Sequence, residues 1–344
     1  MTANTNYIYT PNNNSFRCRV PLNNAKQLFV VDGVMQKNEC NYFLPDSSGK
    51  GYTCRVEKNK TAGELMQIIS IRSGADYKDV EYTNTFKLER GANAKLLLCS
   101  HTLSEESFST KENISIDIEE NAALDIVIMQ NEHNRSRHTT NFNVSLGANA
   151  VLHLYLVTLH GGEISNNIDV ALNGKGGECI LNGLYLANGE QRISNKVNLS
   201  HNVPECFSRQ LFKGILEDKA VTHFSGTILV AKDAQKTEAY QANNNLLTSD
   251  FAKAYTQPHL EIYADDVKCS HGATVGSLDE NELFYMRSRG ISLGEAKILQ
   301  QQAFAYEALH TISNPELLER LGNLVEKRLR GEFSHCKNCS THCC

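Results

Sequence analysis

Residues 255–291 read YTQPHLEIYADDVKCSHGATVGSLDENELFYMRSRGI, and this stretch decides the fold. It opens with a period of two: His259, Glu261, Tyr263 and Asp265 alternate with Leu260, Ile262 and Ala264. Such alternation marks a strand. If the strand runs on, Asp265, Val267, Cys269 and His271 share one face, because side chains two apart point the same way. A thiol and an imidazole so placed are convergent ligands for iron, zinc or an iron–sulfur cluster. The bland alternative is a buried thiol beside a satisfied core histidine. Gly272 is expected to free the backbone for a turn. A helix follows, with Asp279 as N-cap and Glu282 three residues later.

Upstream, the chain repeats. GANAKLLL begins at Gly91, ENAALDIVI at Glu120, GANAVLHL at Gly147 and GKGGECIL at Gly174. The starts lie 29, 27 and 27 residues apart (120 − 91, 147 − 120, 174 − 147). Each unit is a small-residue turn followed by a short apolar-alternating strand. A second strand often follows, as in NISIDI (residues 113–118) and NFNVSL (residues 141–146). A fixed period without helical patterning predicts a β-solenoid whose coils bury one continuous core. That core is expected to hold Leu96, Leu98, Leu124, Ile126, Ile128, Leu152 and Leu154. An antiparallel sandwich is the alternative, since short strands with Gly/Asn turns also suit it.

Composition bounds the function. The 344 residues are 41% hydrophobic and 21% charged, ordinary for a globular protein. A net charge of −5 argues against a nucleic-acid partner. No apolar run reaches membrane-spanning length, and no secretory signal is visible at the start. A cytoplasmic location is the default expectation. The 11 cysteines are then expected as free thiols or ligands. No phosphate loop of the Walker type is present, so any ATP hydrolysis must come from a partner.

The expected organisation has five parts: a disordered, Asn-rich terminus over 1–16, a short β region over 17–70, a β-helix core over 71–276, a helical subdomain over 277–331 and a tail over 332–344. Within 17–70, QLFVV (27–31) and GYTCRV (51–56) read as strands, and Asp32-Gly33 as a hairpin-type turn. Three helices are marked by Asp279, by Ser292 with Glu295, and by Asn314-Pro315. Their apolar stripes include Leu299, Tyr306, Leu317 and Leu321; such stripes usually mark core packing, and helices at the end of a solenoid can also cap its open edge. The tail, HCKNCSTHCC from His335, sets Cys336, Cys339, His342 and Cys343 at zinc-type spacing.

The stretch TQPHLEIYADDVKCSHGATVGSLDENELFYMRSRGI, with the run KGILEDKAVTHFSGTILVAKDAQKTEAYQANNNLLTSDFAKAYTQP before it, resembles the SufB/SufD family of iron–sulfur cluster assembly proteins. The resemblance implies a mainly β fold, a right-handed parallel β-helix with a C-terminal α-helical subdomain. It implies a non-catalytic scaffold subunit that pairs with a SufB-like subunit. It also implies that the helices, through residues such as Leu299, Tyr306, Leu317 and Leu321, dock a SufC-like ATPase. SufB-like chains carry a cysteine where this chain has Pro258, whereas Cys269-x-His271 matches the SufD branch. By that likeness His271, with Cys269 as a weaker companion, belongs at a subunit interface, where iron or a transient iron–sulfur cluster would be shared with the partner. His201 and Cys206 are expected to be structural. SufD chains usually begin with a helical region that residues 1–70 do not suggest.

Two other readings compete. β-Solenoids also host polysaccharide lyases and hydrolases, for which Asp265-Asp266 is the acidic pair near the candidate site. A homodimer binding metal, zinc included, through its Cys-rich tail is the third.

Overall fold

Asn and Gly turns set the coil. The computed structural model describes residues 22, 25–36, 40–73, 78–102 and 106–331. Asn59, Gly91, Asn121, Asn149 and Gly176 all adopt positive φ, between 51° and 73°. Glycine pays no Cβ penalty there, and asparagine tolerates the left-handed region better than most residues. These residues stack coil upon coil: Asn59 N–H donates to Arg90 O, Asn121 N–H to Ala148 O and Asn149 N–H to Lys175 O. The spacing of 27 to 29 residues is therefore the length of chain needed to return to the same corner.

Between the corners run strands. At the start lie β1 (Ala25–Val31), β2 (Val34–Met35), β3 (Phe43–Pro45), β4 (Gly51–Val56) and β5 (Leu65–Arg72). The regular coils follow: β6 (Asp79–Leu88), β7 (Asn93–Thr102), β8 (Ser109–Ile118), β9 (Ala123–Asn131), β10 (Arg137–Leu146), β11 (Val151–His160) and β12 (Glu163–Leu172). Then come β13 (Glu178–Ala187), β14 (Arg192–His201), β15 (Phe207–Leu216), β16 (Val221–Val230), β17 (Thr237–Leu247), β18 (Lys253–Ile262) and β19 (Val267–Gly276). From β4 onward each strand pairs in parallel with the strand two places later, as β11 does with β13 and β14 with β16. Odd strands build one wall and even strands the other. The architecture is a parallel β-solenoid, which excludes the antiparallel sandwich. Among the described residues, antiparallel pairing joins only β1 to β2 across the Asp32-Gly33 turn, and β3 to β4.

Inward residues alternate along each strand. Leu96, Leu98, Leu124, Ile126, Ile128, Leu152 and Leu154 all belong to the enclosed core. The residues between them on the odd wall point the other way. Leu97, Val127, Tyr155, Leu184 and Ile215 form a second apolar layer with the helices.

The helices are α1 (Glu280–Ser288), α2 (Leu293–Leu309) and α3 (Pro315–Leu329). Their caps are those the sequence marks: Asp279, Ser292, and Asn314 ahead of Pro315. Their position differs from the expected end cap. α2 packs on β13 and β15, against the outside of the odd wall. The reason is chemical: that outer face is apolar and needs a cover, and its polar members lock the helices down. Tyr155 Oη donates to Thr311 O at 2.8 Å. Lys213, buried in the seam, pairs with Glu307 and lies 4.1 Å from the centroid of the Phe304 ring. Arg328 is 5% exposed and donates to Leu159 O at 2.9 Å and to Asn188 Oδ1 at 2.6 Å. Burial lowers its guanidinium to about 10, only partly offset by the carboxylates of Glu217 and Asp218.

Two further expectations about the deciding stretch change. The strand does not run straight from Tyr255 to His271: the chain breaks at residues 263–266, and β18 and β19 lie on opposite walls. Gly272 makes no turn, because β19 continues to Gly276. Val267, Cys269 and His271 still share a face, while Asp265 belongs to the corner.

Candidate functional site at the last rung

A strand in the middle of this solenoid is covered by a coil on each side. β18 pairs with β16 alone, and β19 with β17 alone, through all the registers the described residues make. The last rung is thus an uncovered layer, and its inward row meets solvent. On β18 that row is Ala254, Thr256, Pro258, Leu260 and Ile262, stacked on Thr222, Phe224, Gly226, Ile228 and Val230. On β19 it is Val267, Cys269, His271, Ala273 and Val275, stacked on Thr237, Ala239, Gln241, Asn243 and Asn245. One rung below, Phe224 and Val230 are 2% and 0% exposed; Ile262 and Val275 at the end are 39% and 45% exposed. The same inward positions that are dry inside become an apolar face at the end.

His271 and Cys269 sit on this face, two residues apart on β19. His271 is exposed, and Cys269 is half-buried beside Val267 and Leu260. Burial pushes the Cys269 thiol up, and a hydrogen bond involving the Ala239 backbone offsets part of that rise. The thiolate is the ligating form of cysteine, and burial disfavours it here. Pro258, on the facing strand, offers neither ligand nor N–H. Among the described residues no three His, Cys, Asp or Glu side chains converge as a metal cage.

The other sequence candidates separate in space. His201 is fully buried with Nε2 2.8 Å from Ser208 Oγ, and burial lowers its imidazole to about 4. Cys206 is 1% exposed. Among the described cysteines, Cys54, Cys99, Cys179, Cys206 and Cys269 are free thiols. Leu317 and Leu321 are buried against the odd wall and hold α3 in place. Leu299 and Tyr306 are 38% and 53% exposed. They line a groove of about 370 Å³ between α2 and α3, with Ala303, Leu309, Gly322 and Val325. Cys336, Cys339, His342 and Cys343, like residues 1–16, lie outside the described residues. No described helix is long and apolar enough to cross a membrane.

Sequence reasoning passed over a buried ionic cluster. His138 Nδ1 lies 2.9 Å from Glu132 Oε1, and its Nε2 lies 3.5 Å from Glu112 Oε2. Asn84 Nδ2 donates to Glu112 Oε1 at 2.6 Å. Burial alone would lower His138; the two carboxylates outweigh it and raise the imidazole to about 10. The signal was available: Ile114, Ile116 and Ile118 fix the parity of β8, which turns Glu112 inward. Phe142, Val144 and Leu146 do the same for His138.

Residues 73–304 match the family described as "SUF system FeS cluster assembly, SufBD core domain". The chain is 34% identical to iron–sulfur cluster assembly protein SufD of Escherichia coli, over 78% of this chain and 63% of that one. It is 31% identical to an iron–sulfur cluster assembly SufBD family protein of Mycobacterium leprae, over 63% of this chain and 58% of the relative. Protein ABCI7, chloroplastic, of Arabidopsis thaliana is 32% identical over 64% of this chain and 47% of its own. The chain thus spans less than two thirds of the length of each of these relatives. With the family match covering most of its residues, the chain belongs to the SufBD core family of the SUF iron–sulfur cluster assembly system.

Proposed function

We propose that this protein is a SufD-like, non-catalytic subunit of an iron–sulfur cluster assembly scaffold. Its last rung is completed by a SufB-like subunit, and its helices dock a SufC-like ATPase. The observation that carries the reading is the uncovered rung, which presents His271 on an apolar face where, among the described residues, no further metal ligands converge. A partner solenoid ending in a similar rung would cover Ile262 and Val275 and supply the missing donors. Iron, or a nascent cluster, is the cargo held at that seam. An imidazole places less negative charge on a cluster than a thiolate does, and so favours release. The groove beside Leu299 and Tyr306 is suited to a helix or loop of the ATPase.

Anaerobic affinity purification tests the assembly: SufB-like and SufC-like chains are expected to co-elute. His271→Ala is expected to leave the fold and the complex intact and to stop cluster maturation. Normal maturation in that variant would remove His271 from the mechanism.

A further inference from the structure

A second pocket lies where the odd wall meets the helices. It has a volume of about 190 Å³ and is lined by residues of β13 and β15 on one side and of α2 and α3 on the other. Pockets for drug-sized ligands run to about 300–1,000 Å³, so this one suits a smaller molecule.

Arg328 supplies a buried cation to its lining, 5% exposed. Two of the guanidinium nitrogens are engaged: Nε donates to Leu159 O, and Nη2 to Asn188 Oδ1 and Gln191 Oε1. The third, Nη1, has no partner among the described residues. Lys297 of α2 and Glu217, which follows β15 directly, line the same pocket and are exposed. Neither makes an ion pair among the described residues. Glu217 nevertheless acts on Arg328 through space and counters part of the effect of burial. Unlike charges thus line one small pocket and stand too far apart to touch.

The other linings are a donor and a floor. Gly294 is the second residue of α2, and the N-cap oxygen of Ser292 accepts from Glu295 instead. The Gly294 N–H is one of the first-turn donors that a helix leaves without an internal partner. Leu186 and Ile215 come from the strands, Ile298 and Leu329 from the helices, and together they make an aliphatic surface.

A guanidinium with one nitrogen to spare favours a carboxylate or another oxyanion. A plain anion, however, would lie beside the Glu217 carboxylate. A molecule that carries an ammonium as well satisfies both signs. We propose that this pocket binds a free α-amino acid with an aliphatic side chain. Its carboxylate meets Arg328 Nη1, Lys297 and the Gly294 N–H, its ammonium meets Glu217, and its side chain lies on the aliphatic surface. The site needs neither His271 nor a partner chain.

The experiment is a methyl NMR titration of the full chain, labelled at isoleucine, with Ile215→Val and Ile298→Val assigning the two reporters. L-Leucine is the probe. Isocaproate is leucine without the ammonium, isopentylamine is leucine without the carboxylate, and inorganic phosphate is the plain anion. L-Leucine is expected to shift both reporters saturably. Isocaproate and isopentylamine are each expected to bind about tenfold more weakly, the worth of one charge-assisted hydrogen bond. Glu217→Gln should weaken L-leucine by about the same factor and leave isocaproate unchanged, whereas Lys297→Met should weaken both. The absence of a saturable shift with L-leucine would overturn the proposal, and that result needs no variant to fold. So would isocaproate binding as tightly as L-leucine, phosphate shifting the reporters at the same concentration, or unchanged L-leucine affinity in Glu217→Gln.

Discussion

Replacing His138 with alanine removes the cation from between two buried carboxylates. The imidazole side chain is 1% exposed, and the carboxylates of Glu132 and Glu112 are 1% and 7% exposed. Water cannot take over the lost partner. Breaking a buried ion pair by deleting one member costs about 3–5 kcal/mol, because the remaining charge stays buried. Against a typical folding stability of about 5–15 kcal/mol, this is a large fraction. The expected readout is a fall of roughly 5–10 °C in melting temperature, with a matching drop in the urea midpoint. Adding Glu132→Gln should recover part of the loss, since the cycle removes the stranded charge. The dependence on pH follows from the directions of the shifts. His138 is raised from 6.5 to about 10, so its contribution is full below 6.5 and disappears as pH climbs through 10. Glu132 is lowered from 4.5, so its contribution is full above 4.5 and fades as pH falls through its depressed value. The gap between wild type and variant should be widest between these two ordinary values and shrink on either side. A loss of about 1 kcal/mol or less, the worth of an exposed pair, would refute the reasoning.

Other substitutions probe the remaining parts. Arg328→Met strands the acceptors at Leu159, Asn188 and Gln191; amide exchange in α3 should quicken roughly thirtyfold, equivalent to about 2 kcal/mol, while β8 to β12 stay protected. Equal exchange in both proteins would show that the guanidinium does not fasten the helix. Gly174→Ala puts a Cβ 1.9 Å from Ala148 N, so the preceding coil must move, at about 1–3 kcal/mol by denaturant unfolding. Gly272→Ala, where a Cβ meets nothing within 4 Å, is the control expected to unfold like wild type. Val275→Arg should abolish co-elution with a SufB-like chain and leave the unfolding curve unchanged; retained co-elution would place the partner elsewhere.

What the sequence disclosed depended on whether a signal was local. The Asn and Gly corners and the capping residues Asp279, Ser292 and Asn314 act within a turn of chain, so they could be read directly. The coil followed from the corners. The break at residues 263–266 was hidden because Tyr263, Ala264 and Asp265 keep the alternation going through the corner. Gly272 misled for a different reason: on an outermost strand it has no neighbour on one side, so its freedom has no visible use. The seat of the helices was illegible, since an amphipathic stripe tells that a helix packs and not against what. It took Lys213, Asn182 and Tyr155, strand residues whose partners lie more than ninety positions away, to fix it. Cys269 and His271 were legible as neighbours on one strand face. That this face is uncovered became visible only in the structure.

Placing the helices along the flank rather than over the tip leaves the stack unfinished, like a crystal face on which one more layer can grow. Each strand at that tip still has half its backbone amides and carbonyls unspent. Such an edge is a template for further strand pairing, so at high concentration the chain is expected to associate with itself wherever nothing else covers the tip.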